Sequence, residues 1–185
     1  MEATVECLVE RGWAGTTTVL VAERAGVSRG AQLHHFRTRG ELVAAAVEYV
    51  GTQAVRTMLE RAAELPASGN RTTAVVEFII DFFVSPVFTA ALELWVAART
   101  DPDLTTMVVD LEARVGRECH RIAVELLAAD ERAPGVRETV QATLDLARGL
   151  ALANLLTNDS RRRGRIVRQW ARMVDQALTT RTARD

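Results

Sequence analysis

The stretch Thr16-Thr17-Thr18-Val19-Leu20-Val21-Ala22-Glu23-Arg24-Ala25-Gly26-Val27-Ser28-Arg29-Gly30-Ala31-Gln32-Leu33-His34-His35-Phe36 decides the reading of this chain. It predicts two short helices joined by a turn at Gly26. Val21, Ala22 and Ala25 fall at helical spacing, which gives the first helix one narrow apolar face. Thr17 or Thr18 can cap its N-terminus, because a Thr oxygen accepts a hydrogen bond from a backbone N–H that the helix leaves unpaired. Ala22 and Ala25 are small enough to let a second helix approach closely. Gly26 stands where the chain must leave the helix, and glycine takes left-handed dihedrals without strain. Val27 fills the angle between the helices, and Ser28 is placed to cap the second. In that second helix Phe36 and Leu33 are the candidates for burial. Arg29, Gln32, His34 and His35 are left to face outward.

A helix braced on a support, beside a second that presents polar and basic side chains, is the arrangement that enters a DNA groove. From Arg24 to Gly40 the chain carries Arg24, Arg29, Arg37 and Arg39 and no acidic residue, with Glu23 and Glu41 on either side. The whole chain has a net charge of −1. That balance argues against a general nucleic-acid coat and for a local positive patch facing phosphates. Thr38 and Glu41 form a capping box for the next helix. Free N–H groups at its start, with Arg39 beside them, suit a phosphate.

These residues resemble the N-terminal domain of the TetR family of bacterial transcriptional regulators. Its members read Thr-Thr, an apolar-Ala pair, Ala-Gly-Val-Ser, a basic residue, Gly, and an aromatic-rich end closing in Phe. Thr17-Thr18, Val21-Ala22, Ala25-Gly26-Val27-Ser28, Arg29-Gly30 and His34-His35-Phe36 match in order and spacing. Arg39 matches the basic residue that touches phosphate at the start of the fourth helix. The resemblance implies an all-α fold of about nine helices. A three-helix helix-turn-helix DNA-binding domain would span residues 1–40, and a helical ligand-binding and dimerisation domain residues 41–185. It further implies a homodimer on a pseudo-palindromic double-stranded operator, a small-molecule inducer that releases it, and work in the bacterial cytoplasm. Repression is the default sign by analogy, with activation as the alternative.

Within that frame Arg29 is the expected major-groove reader, preferring guanine, while Gly30 and Ala31 let the backbone approach. Thr17, Thr18, His35 and Arg39 are read as phosphate contacts, and His34 fits either role. The family commonly has Leu-Tyr where this chain has Gln32-Leu33. Leu33 cannot bond a phosphate, so that contact is lost or becomes an apolar one, for instance to a thymine methyl. Gln32 has two readings: an adenine reader in the groove, or a partly buried group bonded to the support helix. The first helix begins almost at Met1, so no basic arm in the minor groove is assumed.

Helical periodicity continues along the chain. Residues 2–11 predict a helix whose Val5, Leu8 and Val9 cover the two-helix motif, with Gly12 ending it and Trp13 closing a small core. Residues 39–64 follow, with Leu42, Val43, Ala46, Val50 and Val55 on the inner side. Leu65-Pro66-Ala67-Ser68-Gly69 is a break, and Asn70 can cap a helix carrying Val75, Phe78, Ile79, Phe82 and Phe83. Ser85-Pro86 and Asp101-Pro102 open two more, each with Pro at the first helical position. The last two helices are expected at 136–157 and 160–179. Leu144, Ala147, Ala151 and Leu155 recur on one, and Ile166, Trp170, Met173 and Ala177 on the other. Paired with a second copy these helices close a four-helix bundle. The alternative is that they pack on their own subunit. Phe78, Phe82, Phe83, Phe88, Trp95, Met107 and Leu111 can line an inducer cavity, with Arg114, His120 or Asp145 as polar anchors. The alternative for the aromatic residues is plain core.

Other classes fare worse. No apolar run is long enough to span a bilayer, and Met1-Glu2 opens no secretory leader. Cys7 and Cys119 lack partners at metal or redox spacing and read as small buried apolar residues. His34-His35 lie in the reading helix and Glu118-Cys119-His120 is an isolated cluster, so no catalytic residue, metal ligand or cofactor is assigned. A helical scaffold without DNA activity is the remaining alternative.

Overall fold

The computed structural model describes residues 1–67 and 69–179. Among these residues there are nine helices and no strand: α1 (Glu2–Gly15), α2 (Thr18–Ala25), α3 (Arg29–His35), α4 (Arg39–Ala62), α5 (Arg71–Phe83), α6 (Pro86–Ala98), α7 (Pro102–Leu127), α8 (Val136–Ala153) and α9 (Ser160–Thr179). Side-chain caps set several starts. Thr17 Oγ1 accepts the Leu20 N–H at 3.2 Å, Ser28 Oγ the Ala31 N–H at 3.1 Å, and Asp101 Oδ1 the Leu104 N–H at 3.0 Å. Each occupies a backbone donor that a helix start leaves over. Asn70 precedes α5 but makes no such bond. Its expected cap is absent.

Two glycines carry bends. Gly26 lies at φ 65°, ψ 29°, and the Val27 N–H reaches back to the Ala22 carbonyl at 3.0 Å, closing α2. Gly12 lies at φ 63°, ψ −178° inside α1. The first helix was expected to stop there, but the chain bends and resumes a further turn to Gly15. The Trp13 N–H freed by the bend donates to Glu93 Oε2 at 2.8 Å, so a carboxylate of α6 fixes the kink.

The chain gathers into two compact units, residues 1–57 with 86–115 and residues 58–85 with 116–185. The division expected at residue 40 is one of task, whereas these units follow packing. In the first, α1 lies along α6, and Val5, Leu8, Val43, Ala46, Leu94, Leu104, Val108 and Leu111 form one core. Burying a side chain such as Leu8 contributes about 1.5–3 kcal/mol. Cys7, Val21 and Leu42, with Leu20 and Phe36, form a smaller cluster under the two-helix motif. Val9 remains 39% exposed and takes no part. In the second unit α5 packs on α8 and α9. Val75, Val76, Ile79 and Ile80 are buried, as are Val140, Leu144, Ala147, Ala151, Val167, Ala171 and Val174.

That packing corrects part of the expected dimer face. Leu144, Ala147 and Ala151 have almost no exposed surface within a single chain. They have no surface left to give a partner and belong to the core of their own unit, as the alternative reading held. α8 ends at Ala153, so Leu155 lies beyond it. Of the α9 residues, Ile166 and Trp170 are half-buried, while Met173 and Ala177 are exposed. Trp170 Nε1 donates to Thr143 Oγ1 at 3.0 Å.

Candidate nucleic-acid interface

α2 and α3 are held from beneath. Val21 and Ala22 are buried, and Arg24 on the same helix donates to Glu10 Oε2 of α1 at 2.6 Å, with Glu6 3.9 Å away. Arg24 therefore tethers α2 to α1, and its charge is spent there rather than in the positive patch. The bond from Arg24 holds the Glu10 carboxyl below the ordinary carboxylate range. A carboxyl with a lowered pKa in the fold stabilises it above the ordinary range, and the contribution is lost as pH falls through the lowered value. Glu10→Gln is therefore expected to flatten the acid limb of a stability–pH curve. An unchanged acid limb contradicts the tether.

α3 presents its outer side to solvent. Arg29, Gly30, Ala31, Leu33, His34 and His35 are all exposed, and Ser28 is exposed at the cap. The His34 and His35 rings meet edge-on at 5.3 Å. Two positions differ from expectation. Gln32 is only 6% exposed and its Oε1 has no hydrogen-bond partner, whereas Leu33 is 41% exposed. Gln32 is therefore neither on the reading surface nor an acceptor for the support helix. The reason is helical phase: residue 32 lies four before Phe36 and shares its inward side, while residue 33 lies four after Arg29 and shares the outward side.

The start of α4 is also built in detail. Thr38 Oγ1 accepts the Glu41 N–H at 3.1 Å, and Glu41 Oε2 accepts the Arg37 N–H at 2.9 Å. The expected box forms, but the carboxylate reaches back one residue further. The Arg39 guanidinium lies 4.1 Å from the Trp13 ring centroid, and its Nη1 donates to the Trp13 carbonyl at 3.3 Å. The sequence offered Arg39 only a phosphate, and the structure also makes it a clamp between α1 and α4. Arg39→Ala is expected to cost about 1–2 kcal/mol of stability, read by denaturant unfolding, and to flatten the salt dependence of DNA binding. An unmoved unfolding midpoint contradicts the clamp. Thr17 is exposed and Thr18 half-buried beside this surface.

The residues expected around an inducer are divided between the two units. Met107, Leu111 and Arg114 of α7 line a cleft of about 440 Å³ in the first unit, facing Ala44, Ala45, Glu41 and Glu48 of α4. His35, Phe36 and Asp110 complete it. Trp95 lies elsewhere in that unit, against the Phe88 ring, with Nε1 bonded to Glu112 Oε1 at 2.8 Å. Phe78, Phe82 and Asp145 belong to the second unit, where Asp145 pairs with Arg148 at 2.5 Å and Phe82 meets the Phe83 ring edge-on. Phe83 and Phe88 are buried core. His120 Nε2 lies 2.7 Å from Glu131 Oε1. The α4 side of the cleft escaped sequence reading, although residues 41, 44, 45 and 48 share one helical stripe, as do 107, 110, 111 and 114. No group of three or more His, Cys, Asp or Glu among the described residues is placed to hold a metal.

Residues 1–46 match the family described as bacterial regulatory proteins, tetR family. An uncharacterised HTH-type transcriptional regulator of Mycobacterium tuberculosis is 29% identical over 130 residues, 70% of this chain and 67% of that protein. The HTH-type transcriptional regulator CymR of Pseudomonas putida is 37% identical over 102 residues, 55% of this chain and half of CymR. A solved transcriptional regulator from Rhodococcus sp. Rha1 superposes with a TM-score of 0.70 at 21% identity, over 95% of this chain and 93% of that one. That likeness shows the fold, and the helix-turn-helix match shows what the fold carries. Such regulators are DNA-binding proteins and not enzymes. With its capped, outward-facing α3 on the α2 support, the segment 1–46 carries the helix-turn-helix domain of the tetR family of bacterial regulatory proteins.

Proposed function

We propose that this regulator acts as a homodimeric repressor. Residues 1–40 read a pseudo-palindromic operator, residues 41–185 join the two copies and receive a small-molecule effector, and the site of action is the cytoplasm. The observation that carries the reading is the exposed outer side of α3, with Arg29 making no hydrogen bond or ion pair among the described residues. One helix of seven residues reaches only a few base pairs, so a useful address needs two of them related by a two-fold axis. Arg29 reads guanine; Thr17, Thr18, His35 and Arg39 position phosphates; Leu33, now outward, offers a thymine methyl an apolar contact.

The two-fold partner is assigned to α8 and α9. Leu152 is 55% exposed and Met173 48% exposed. Met173 lines up at helical spacing with Ile166, Trp170 and Ala177, an apolar stripe that a second copy covers. No single helix among the described residues is long and apolar enough to cross a membrane. Binding to genomic fragments, titrated with salt, tests the reading. A saturable, sequence-selective complex is expected, and equal weak binding to every fragment contradicts it.

A further inference from the structure

We propose that the cleft between α4 and α7 is the effector site of this chain and that it takes an organic cation with an apolar body. The inference rests on the regulator reading above and adds to it the class of ligand and the route to the reading helix. Its apolar lining includes Phe36, Ala45, Met107 and Leu111, and the carboxylates of Glu41, Glu48 and Asp110 outnumber its basic groups, the Arg114 guanidinium and the His35 imidazole. Arg114 is already committed: its Nη2 lies 2.9 Å from Glu48 Oε1. Asp110 makes no hydrogen bond or ion pair among the described residues. The site therefore offers uncompensated negative charge over an apolar base, with an aromatic ring in reach of a cation. An anionic ligand meets repulsion there, and a neutral one leaves Asp110 unanswered. The volume of about 440 Å³ admits a drug-sized molecule.

The lining explains how occupancy reaches DNA. Phe36 closes α3, and Glu41 holds the turn after it through the Arg37 N–H at 2.9 Å. A cation drawn to Glu41 competes with that N–H. On the other side, α4 and α7 already touch: a Cβ added at Gly40 would stand 3.1 Å from Leu104 Cδ1 and 3.2 Å from Met107 Cε. A cation that draws Glu41 from the Arg37 N–H loosens the turn after α3, and with α4 held against α7 the part left to move is the end of α3. Such a ligand binds the displaced form better than the reading form, which is what release requires.

Tetraphenylphosphonium and tetraphenylborate are suitable probes, nearly equal in size and apolar area and opposite in charge. Titrated calorimetrically into the full chain without DNA, the phosphonium is expected to bind saturably, once per chain, and the borate at least about ten-fold more weakly. Asp110→Asn should weaken the phosphonium about three- to ten-fold. Ala45→Phe, which fills the cleft without touching a charge, should remove its binding. Equal binding of both ions, or phosphonium binding retained in Ala45→Phe, overturns the site. Saturating phosphonium is expected to free operator DNA, and DNA that stays bound overturns the coupling. A chain that selects no operator yet shows this charge preference supports the site and sinks the regulator reading. One that selects an operator and ignores probe charge sinks the site alone.

Discussion

Arg29→Ala is expected to erase most of the difference between operator and random DNA while leaving the fold intact. The side chain is exposed, and its guanidinium makes no hydrogen bond or ion pair among the described residues. Removing it therefore breaks nothing within the chain. A bidentate arginine–guanine pair discriminates by about 1–3 kcal/mol, and a two-fold pair of reading helices makes that contact twice. Competition binding between a selected operator and random DNA reads the effect, expected as a loss of about two orders of magnitude in the ratio. Binding to random DNA should fall far less, because phosphate contacts carry it. A ratio unchanged by the substitution removes Arg29 from the reading role.

The second large effect is expected at the face of α8 and α9. Leu152→Glu combined with Met173→Glu places one carboxylate at the exposed Leu152 position of α8 and one in the apolar stripe of α9. Both side chains are about half exposed in one chain, at 55% and 48%, so the single subunit loses little packing. Across a two-fold axis each carboxylate is buried against apolar surface and against its own copy, at a cost of several kcal/mol. Sedimentation should show the parent chain as dimers and the double variant as single subunits with unchanged helical content. Operator affinity should then fall by about 10²- to 10⁴-fold, since two linked half-sites become two independent weak ones. A double variant that remains dimeric assigns the interface elsewhere.

The fold was legible because its punctuation is chemical. Thr17, Ser28 and Asp101 cap where the sequence places caps, Gly26 turns where a turn is needed, and Pro86 and Pro102 open α6 and α7. These signals are local, so a sequence carries them in full. What it carried poorly depends on partners far along the chain. Gly12 reads as a stop, yet Glu93, eighty residues on, supplies the acceptor that lets α1 bend and continue. Leu144, Ala147 and Ala151 read first as a dimer seam, with core as the alternative, and it takes the packing of α5 and α9 on α8 to bury them within one chain. Arg39 reads as a free cation until Trp13 is seen beneath it.

The reading surface shows the same division. The outward set of Arg29, His34 and His35 follows from polarity alone, while Gln32 and Leu33 reverse the usual rule that the polar residue faces water. Their phase is set by Phe36, whose ring is anchored in the cluster of Cys7, Val21 and Leu42. In a helix of seven residues one such anchor outweighs the preference of two side chains. The effector cleft was half legible: Met107, Leu111 and Arg114 lie at one helical phase of α7, but nothing local ties them to Glu41, Ala45 and Glu48 of α4.

Selecting bound sequences from a random DNA pool puts the claim of a doubled, outward-facing α3 to its most direct test. An inverted repeat is predicted, with guanine at a matching position of each half and protection of both halves by two chains. A recovered motif without two-fold symmetry, or no enrichment over repeated rounds, contradicts it.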